Sequence, residues 1–129
     1  MASPTTRSKK AMTDDGWYTE TVEYWNGFTN RRHDLFGFTD ILAMKEGETP
    51  RLIQTTTGTN FAARRTKIMG SERAVLALVS GFRIFLHGWR KLLVKRGGKA
   101  KRWVLLEEEI TMADFHQQSR SRPREAVSA

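Results

Sequence analysis

Two periodicities divide the chain. From Trp17 to Trp25 the residues alternate, with Trp17, Thr19, Thr21, Glu23 and Trp25 on one side and Tyr18, Glu20, Val22 and Tyr24 on the other. Aromatic and β-branched residues at a period of two predict a strand. Both sides carry an acid, so the pattern does not choose the buried one. Asn26 to Asp34 reads as a polar connection, and Leu35 to Met44 as a second strand in which Gly37 marks a bend or bulge. Lys45 to Pro50 is a turn, and Arg51 to Thr56 a third strand.

The period then changes. From Phe61 to Ser80 the apolar residues Ala62, Ala63, Ile68, Met69, Ala74, Val75, Leu78 and Val79 recur at helical spacing. Asn60 or Thr59 suits the cap at the start. Gly70-Ser71 interrupts the run, Ser71 and Glu72 suit a new N-terminus, and Gly81 suits the C-terminal end. Alternation resumes over Phe82 to Val94, turns at Lys95-Arg-Gly-Gly-Lys99, and returns over Lys101 to Ile110. Residues 1–15 are expected to be flexible or a short helix ending at Gly16, residues 16–116 one domain, and residues 117–129, rich in Ser, Arg and Pro, a disordered tail. The order is helix, three strands, helix, two strands. It predicts an α/β fold with a mixed sheet of about five strands flanked by helices.

Composition adds a partner class. The chain has 129 residues, enough for one domain, and no Cys, which excludes disulfides and thiolate-bound zinc. No apolar run approaches the roughly 20 residues that span a bilayer, and no apolar segment follows Lys9 and Lys10 as in a signal peptide. No membrane partner is expected, and the cytoplasm is the default location. The net charge of +8 is large for this length and predicts attraction to a polyanion, foremost nucleic acid. Its densest stretch is Arg90 to Arg102, where Arg90, Lys91, Lys95, Arg96, Lys99, Lys101 and Arg102 stand without an acid between Trp89 and Trp103. A hairpin with such a tip suits phosphate contacts, and Arg64 and Arg65 on the preceding helix extend the patch. Both Trp residues are expected in the core. His33, His87 and His116 form no pattern of catalysis or zinc binding, and Gly97-Gly98 lacks the context of a phosphate loop.

Candidate chemistry gathers where the second and third strands meet. Asp40 opens the apolar run Ile41-Leu-Ala-Met44, and Gln54 and Thr56 close the run that starts at Arg51. A hairpin of these strands brings the three side chains to one end. The segments Arg32-His-Asp-Leu-Phe-Gly-Phe-Thr-Asp40-Ile-Leu-Ala and Leu52-Ile-Gln54-Thr-Thr-Thr-Gly-Thr-Asn60 resemble the PD-(D/E)XK nuclease superfamily, close to its Holliday-junction-resolvase-like and restriction-endonuclease-like members of small phage type. The likeness covers about Trp17 to Trp89. It implies a restriction-endonuclease-like core and a DNA endonuclease that uses Mg²⁺ or Mn²⁺, with branched DNA and a homodimer by analogy with the resolvases. For a phage-encoded protein the location becomes the host cytoplasm.

In that superfamily the first acid matches Asp40, with Thr39 where proline is usual. The second acid falls on Gln54 and the lysine on Thr56. The peptide carbonyl of Thr55 is implied as a further metal ligand. Gln54 offers an oxygen without charge, and Thr56 offers no cation. Glu23 or Asp34 is the candidate second carboxylate, and Lys67, Arg64 or Arg65 the candidate cation from the following helix. By the residues alone, Glu23 reads first as an exposed strand residue and Asp34 first as a turn or cap, ahead of metal binding. Two further readings stand beside the nuclease: a catalytically inactive nucleic-acid-binding module of the same fold, for which Gln54 and Thr56 speak, and a viral structural or assembly protein whose charge serves assembly.

Overall fold

The structure, a computed structural model, describes residues 2–121. Helix α1 (Pro4–Asp14) comes first, followed by strands β1 (Tyr18–Thr21), β2 (Glu23–Asn26), β3 (Arg31–Asp34), β4 (Ile41–Met44) and β5 (Arg51–Thr57). A tight helical turn over Gly58–Asn60 leads into α2 (Phe61–Met69) and α3 (Glu72–Val79). Strands β6 (Arg83–Leu93) and β7 (Lys101–Ile110) and helix α4 (Met112–Ser121) complete the chain. The main sheet has five strands in the order β1-β4-β5-β6-β7. All its pairs are antiparallel except β5 and β6, which run parallel because α2 and α3 carry the chain back across the sheet. The expected α/β architecture, a mixed five-stranded sheet flanked by helices, is present.

Local chemistry explains the elements. Ser3 caps α1 by accepting from the Thr6 N–H, and Pro4 occupies the first turn, where no N–H is needed. Ser71 caps α3 through the Ala74 N–H, so the break at Gly70-Ser71 is a true restart. The cap on the turn before α2 comes from Thr57, whose hydroxyl accepts from the Asn60 N–H; Asn60 makes no side-chain cap.

Each face of the sheet has its own core. Leu52, Ile84, Leu86 and Ile110 pack with Phe38 under Ile68, Met69, Ala74 and Ala77 of α2 and α3. Ile41, Ala43, Ile53 and Phe85 pack with Trp17 under Met12 of α1. Gly88 lets α2 approach, since a Cβ there would fall 2.5 Å from the Phe61 ring. Arg65 braces the same layer by pairing with Glu108 of β7 at 2.8 Å and Asp114 of α4 at 3.2 Å.

Four expectations need correction. Trp17 to Trp25 is not one strand: the chain leaves the sheet at Val22, whose N–H bonds the Asp40 carbonyl at 2.8 Å, and β2 begins a separate ribbon. Asn26 to Asp34 is not only a connection, because Arg31–Asp34 pairs with β2 as a two-stranded sheet. Leu35 to Met44 is a strand only from Ile41: Phe36 and Gly37 take positive φ (59° and 85°) and turn the chain between Leu35 and Thr39. Helix α4 runs through Ser121, into the segment expected to be disordered; residues 122–129 of that segment lie outside the described residues. At the other end, residues 4–14 form α1 and Gly16 (φ 91°) ends it as expected.

Candidate functional site

The site lies where β5 ends, at the carboxyl end of the parallel pair β5 and β6, the place where open α/β sheets leave a crevice. A cleft of about 540 Å³ opens there, bounded by Pro4 and Thr5 of α1, by Glu23, Arg32 and Asp34 of the ribbon, by Asp40 and the run Gln54–Thr57, and by Asn60, Arg64 and Lys67 on the α2 side.

Side-chain alternation distributes the work along β5. Gln54 and Thr56 share the face of Leu52, toward α2, and Thr55 shares the opposite face with Ile53. Thr55 holds Asp40: its N–H donates to Asp40 Oδ2 at 2.8 Å, and its hydroxyl donates to the same oxygen at 3.2 Å. That hydroxyl also lies 2.8 Å from Thr5 Oγ1, which reaches Glu23 Oε1 at 3.5 Å.

Three carboxylates converge. Glu23, Asp34 and Asp40 each offer an oxygen within 4.8 Å of the others. Glu23 and Asp34 face each other directly across the ribbon, and Asp40 precedes β4, so the cluster unites two sheets. Arg32 lies 3.6 Å from Glu23, and Lys67 lies 3.6 Å from Asp34. Asp40 is 4% exposed and has no cation of its own among the described ion pairs. Burial pushes its carboxyl up to about 7, against the pull of the Thr55 N–H, and the nearby Glu23 and Asp34 add to the rise. Gln54, 1% exposed, keeps Oε1 without a hydrogen-bond partner in the protein.

These residues fit a hard divalent cation. Every donor is an oxygen, the carboxylates converge in a partly open cleft, and the buried Gln54 oxygen lacks a partner. Glu23, Asp34 and Asp40 would hold the ion, with Gln54 adding an uncharged oxygen. Thr55 enters as a holder of Asp40, through its N–H and hydroxyl.

Of the residues expected at the site, Glu23, Asp34, Asp40, Gln54, Thr55, Thr56, Arg64 and Lys67 all line the cleft. Arg65 does not; it is committed to Glu108 and Asp114. Arg90, Lys91, Lys95, Arg96, Lys99, Lys101 and Arg102 lie exposed on the β6–β7 arm, outside the cleft. Trp89 is half-buried and donates to Ser8 Oγ at 2.9 Å, whereas Trp103 is 37% exposed, with the Arg7 guanidinium 3.8 Å from its ring centre. Thr5 and Arg32 belong to the site although no sequence pattern marks them.

The histidines stay outside the chemistry. His33 stacks on Tyr24 with ring centres 5.4 Å apart, and His116 is exposed. His87 lies between Ser8 (2.9 Å) and Glu107 (2.8 Å), the order of a nucleophile, base and acid. Ser8 is fully buried and its oxygen accepts from Trp89, so the row ties α1 to the sheet instead. No family model matches the chain, and no curated protein or solved structure matches it.

Proposed function

We propose that the protein is a metal-dependent DNA endonuclease of PD-(D/E)XK type, in which the carboxylate missing at Gln54 is supplied by Glu23 and Asp34 and the cation missing at Thr56 by Lys67. One observation carries the reading: the three-carboxylate cluster beside Lys67, in a cleft with Arg32 and Arg64 on its walls. The order of α1, three sheet strands, a helical crossover and a parallel fourth strand supports it, being the core order that the resemblance implies.

Bound Mg²⁺ or Mn²⁺ would lower the pKa of a water and stabilise charge on a phosphodiester. The chain's own residues do the rest. Thr55 fixes the direction of Asp40, and Thr5 steadies Thr55 and Glu23. Lys67 lies close enough to the cluster to orient a nucleophilic water or to neutralise a phosphate oxygen. Arg32 and Arg64 hold the strand to be cut. On branched DNA the protein would act as a homodimer, in the cytoplasm of the cell that makes it or of a phage's host.

The test is incubation with plasmid, single-stranded and four-way-junction DNA, with Mn²⁺ or with chelator. Cleavage should need the metal. Asp40→Asn should lower it by more than the roughly 10–100-fold that loss of an outer-shell partner costs, while DNA binding in chelator stays near wild type. Equal cleavage by both proteins would end the proposal. Binding without cleavage under every condition would favour the inactive binding module that Gln54 and Thr56 suggest.

A further inference from the structure

The β2–β3 ribbon presents aromatic rings to solvent beside the acidic cluster. Tyr24 is 60% exposed, Trp25 63% and Phe28 101%. Tyr24 stacks on His33, but Trp25 and Phe28 have no described ring partner to explain them.

Register decides which ring faces the site. Glu23 is opposite Asp34, Tyr24 opposite His33, and Trp25 opposite Arg32. Directly opposed residues share a face of a two-stranded sheet, and faces alternate along a strand. Trp25 and Arg32 therefore lie on the face of Glu23 and Asp34, two residues beyond the carboxylates, whereas Tyr24 lies on the other face, covered by His33. Two residues of strand span about 7 Å, on the order of the length of one or two nucleotides, each of which rises about 3.4 Å when stacked.

The tip is set by its own hydrogen bonds. Asn26 Oδ1 accepts from the N–H of Phe28 at 2.9 Å and of Thr29 at 3.4 Å, and Asn30 takes a positive φ of 53°. Arg31 and Arg32 place positive charge on the strand opposite the rings. An aromatic surface beside cations, at nucleotide distance from the carboxylate cluster, is the chemistry that holds an unpaired base.

We infer that Trp25 is a stacking platform for an unpaired nucleobase, and that the site therefore takes single-stranded or locally opened nucleic acid in preference to intact duplex. A base on the Trp25 ring sets the adjacent phosphate toward the carboxylates, and Arg32 neutralises the backbone between them. A paired base has both faces stacked within the duplex and gains nothing from the ring.

The inference rests on the nuclease reading for the role of the neighbouring phosphate, but its test reads binding alone. A labelled single-stranded oligothymidine and a mixed-sequence duplex of equal length are titrated in chelator. Trp25→Ala should weaken single-strand binding roughly tenfold or more and leave duplex binding unchanged, and Trp25→Phe should restore most of the loss. Wild-type fluorescence should be quenched by the single strand, and Trp25→Phe should lose that quenching. Unchanged single-strand affinity in Trp25→Ala, or an equal loss on duplex, overturns the inference. If Asp40→Asn cleaves as wild type does while the Trp25 effects hold, the catalytic reading falls and the platform stands.

Discussion

At the scale of single residues, the site turns on Asp40, the one carboxyl of the three without a described cation of its own. Asp40 is nearly buried, accepts from the Thr55 N–H, and lies within reach of Glu23 and Asp34. Its carboxyl is raised from the ordinary 3.8 to about 7, first by burial. Between those values the folded protein keeps a proton that the unfolded chain has released, so stability falls as pH rises through the window. The metal-free protein should therefore be more stable at pH 5 than at pH 8 in denaturant titrations, relative to Asp40→Asn, whose amide cannot ionise and can still accept from Thr55. Mn²⁺ should flatten the wild-type slope. Parallel pH profiles for the two proteins would mean that Asp40 does not titrate as described. Gln54 gives the complementary case. Its oxygen is buried without a partner, so Gln54→Glu adds a fourth carboxylate beside a cluster with only two described cations, Arg32 and Lys67. Calorimetric titration should show tighter Mn²⁺ binding, and the metal-free variant should melt lower than wild type. Unchanged Mn²⁺ affinity would place Gln54 outside the ligand set.

At the scale of elements, α1 is a wall of the cleft, seated by Met12 in the core and by a buried polar row at Ser8. Ser8 Oγ accepts from Trp89 and bonds His87, whose other nitrogen meets Glu107. Ser8→Ala leaves the His87 and Trp89 nitrogens without that partner, and urea unfolding should show a loss of about 1–3 kcal/mol. Mn²⁺ binding should weaken with it, because α1 carries Thr5 to Thr55 and Glu23. A change below about 0.5 kcal/mol, the usual size for an unimportant surface position, would mean that the row does not hold α1. The elements also show what the sequence made legible. Strands β5, β6 and β7 and the restart at Ser71 follow from local pattern, since period and capping are local properties. The ribbon does not: alternation continues through Val22 although the chain changes sheets there, and the pairing of Glu23 with Asp34 joins residues that no local rule links. For that reason Asp40 was readable as an acid opening a strand, while its two partners were only candidates. Helix α4 did leave a signal. Thr111-Met-Ala-Asp114 is a capping-box spacing, and the Thr111 N–H donates to Asp114 Oδ2 at 2.7 Å.

At the scale of the whole molecule, positive charge is placed at two stations at one end of the sheet. Strand β5 ends at Thr57, opposite Trp89, and β6 continues for Arg90, Lys91, Leu92 and Leu93 beyond that pairing, with β7 alongside. The arm so formed reaches about 13 Å past the cleft-bearing end of β5, and Gly58 lets its root lie close, with the Arg90 Nε 2.7 Å from where a Cβ would stand. Lys95, Arg96, Lys99 and Lys101 are exposed toward its far end, whereas Arg32, Arg64 and Lys67 line the cleft. On the proposed nuclease reading, a strand engaged at the carboxylates continues along the arm, and the two stations should separate in experiment. Each phosphate neutralised contributes about 0.9 to the slope of log affinity against log salt on duplex DNA. Replacing all four arm cations with Ala should reduce that slope by up to about four such increments and weaken binding at low salt. Cleavage at saturating DNA should fall much less, since the arm touches neither the carboxylates nor Lys67. Replacing Lys67 should do the reverse, lowering turnover with a small change in slope. If the four-fold arm variant keeps the wild-type salt slope, the arm carries no phosphate contact, and the proposed second station falls.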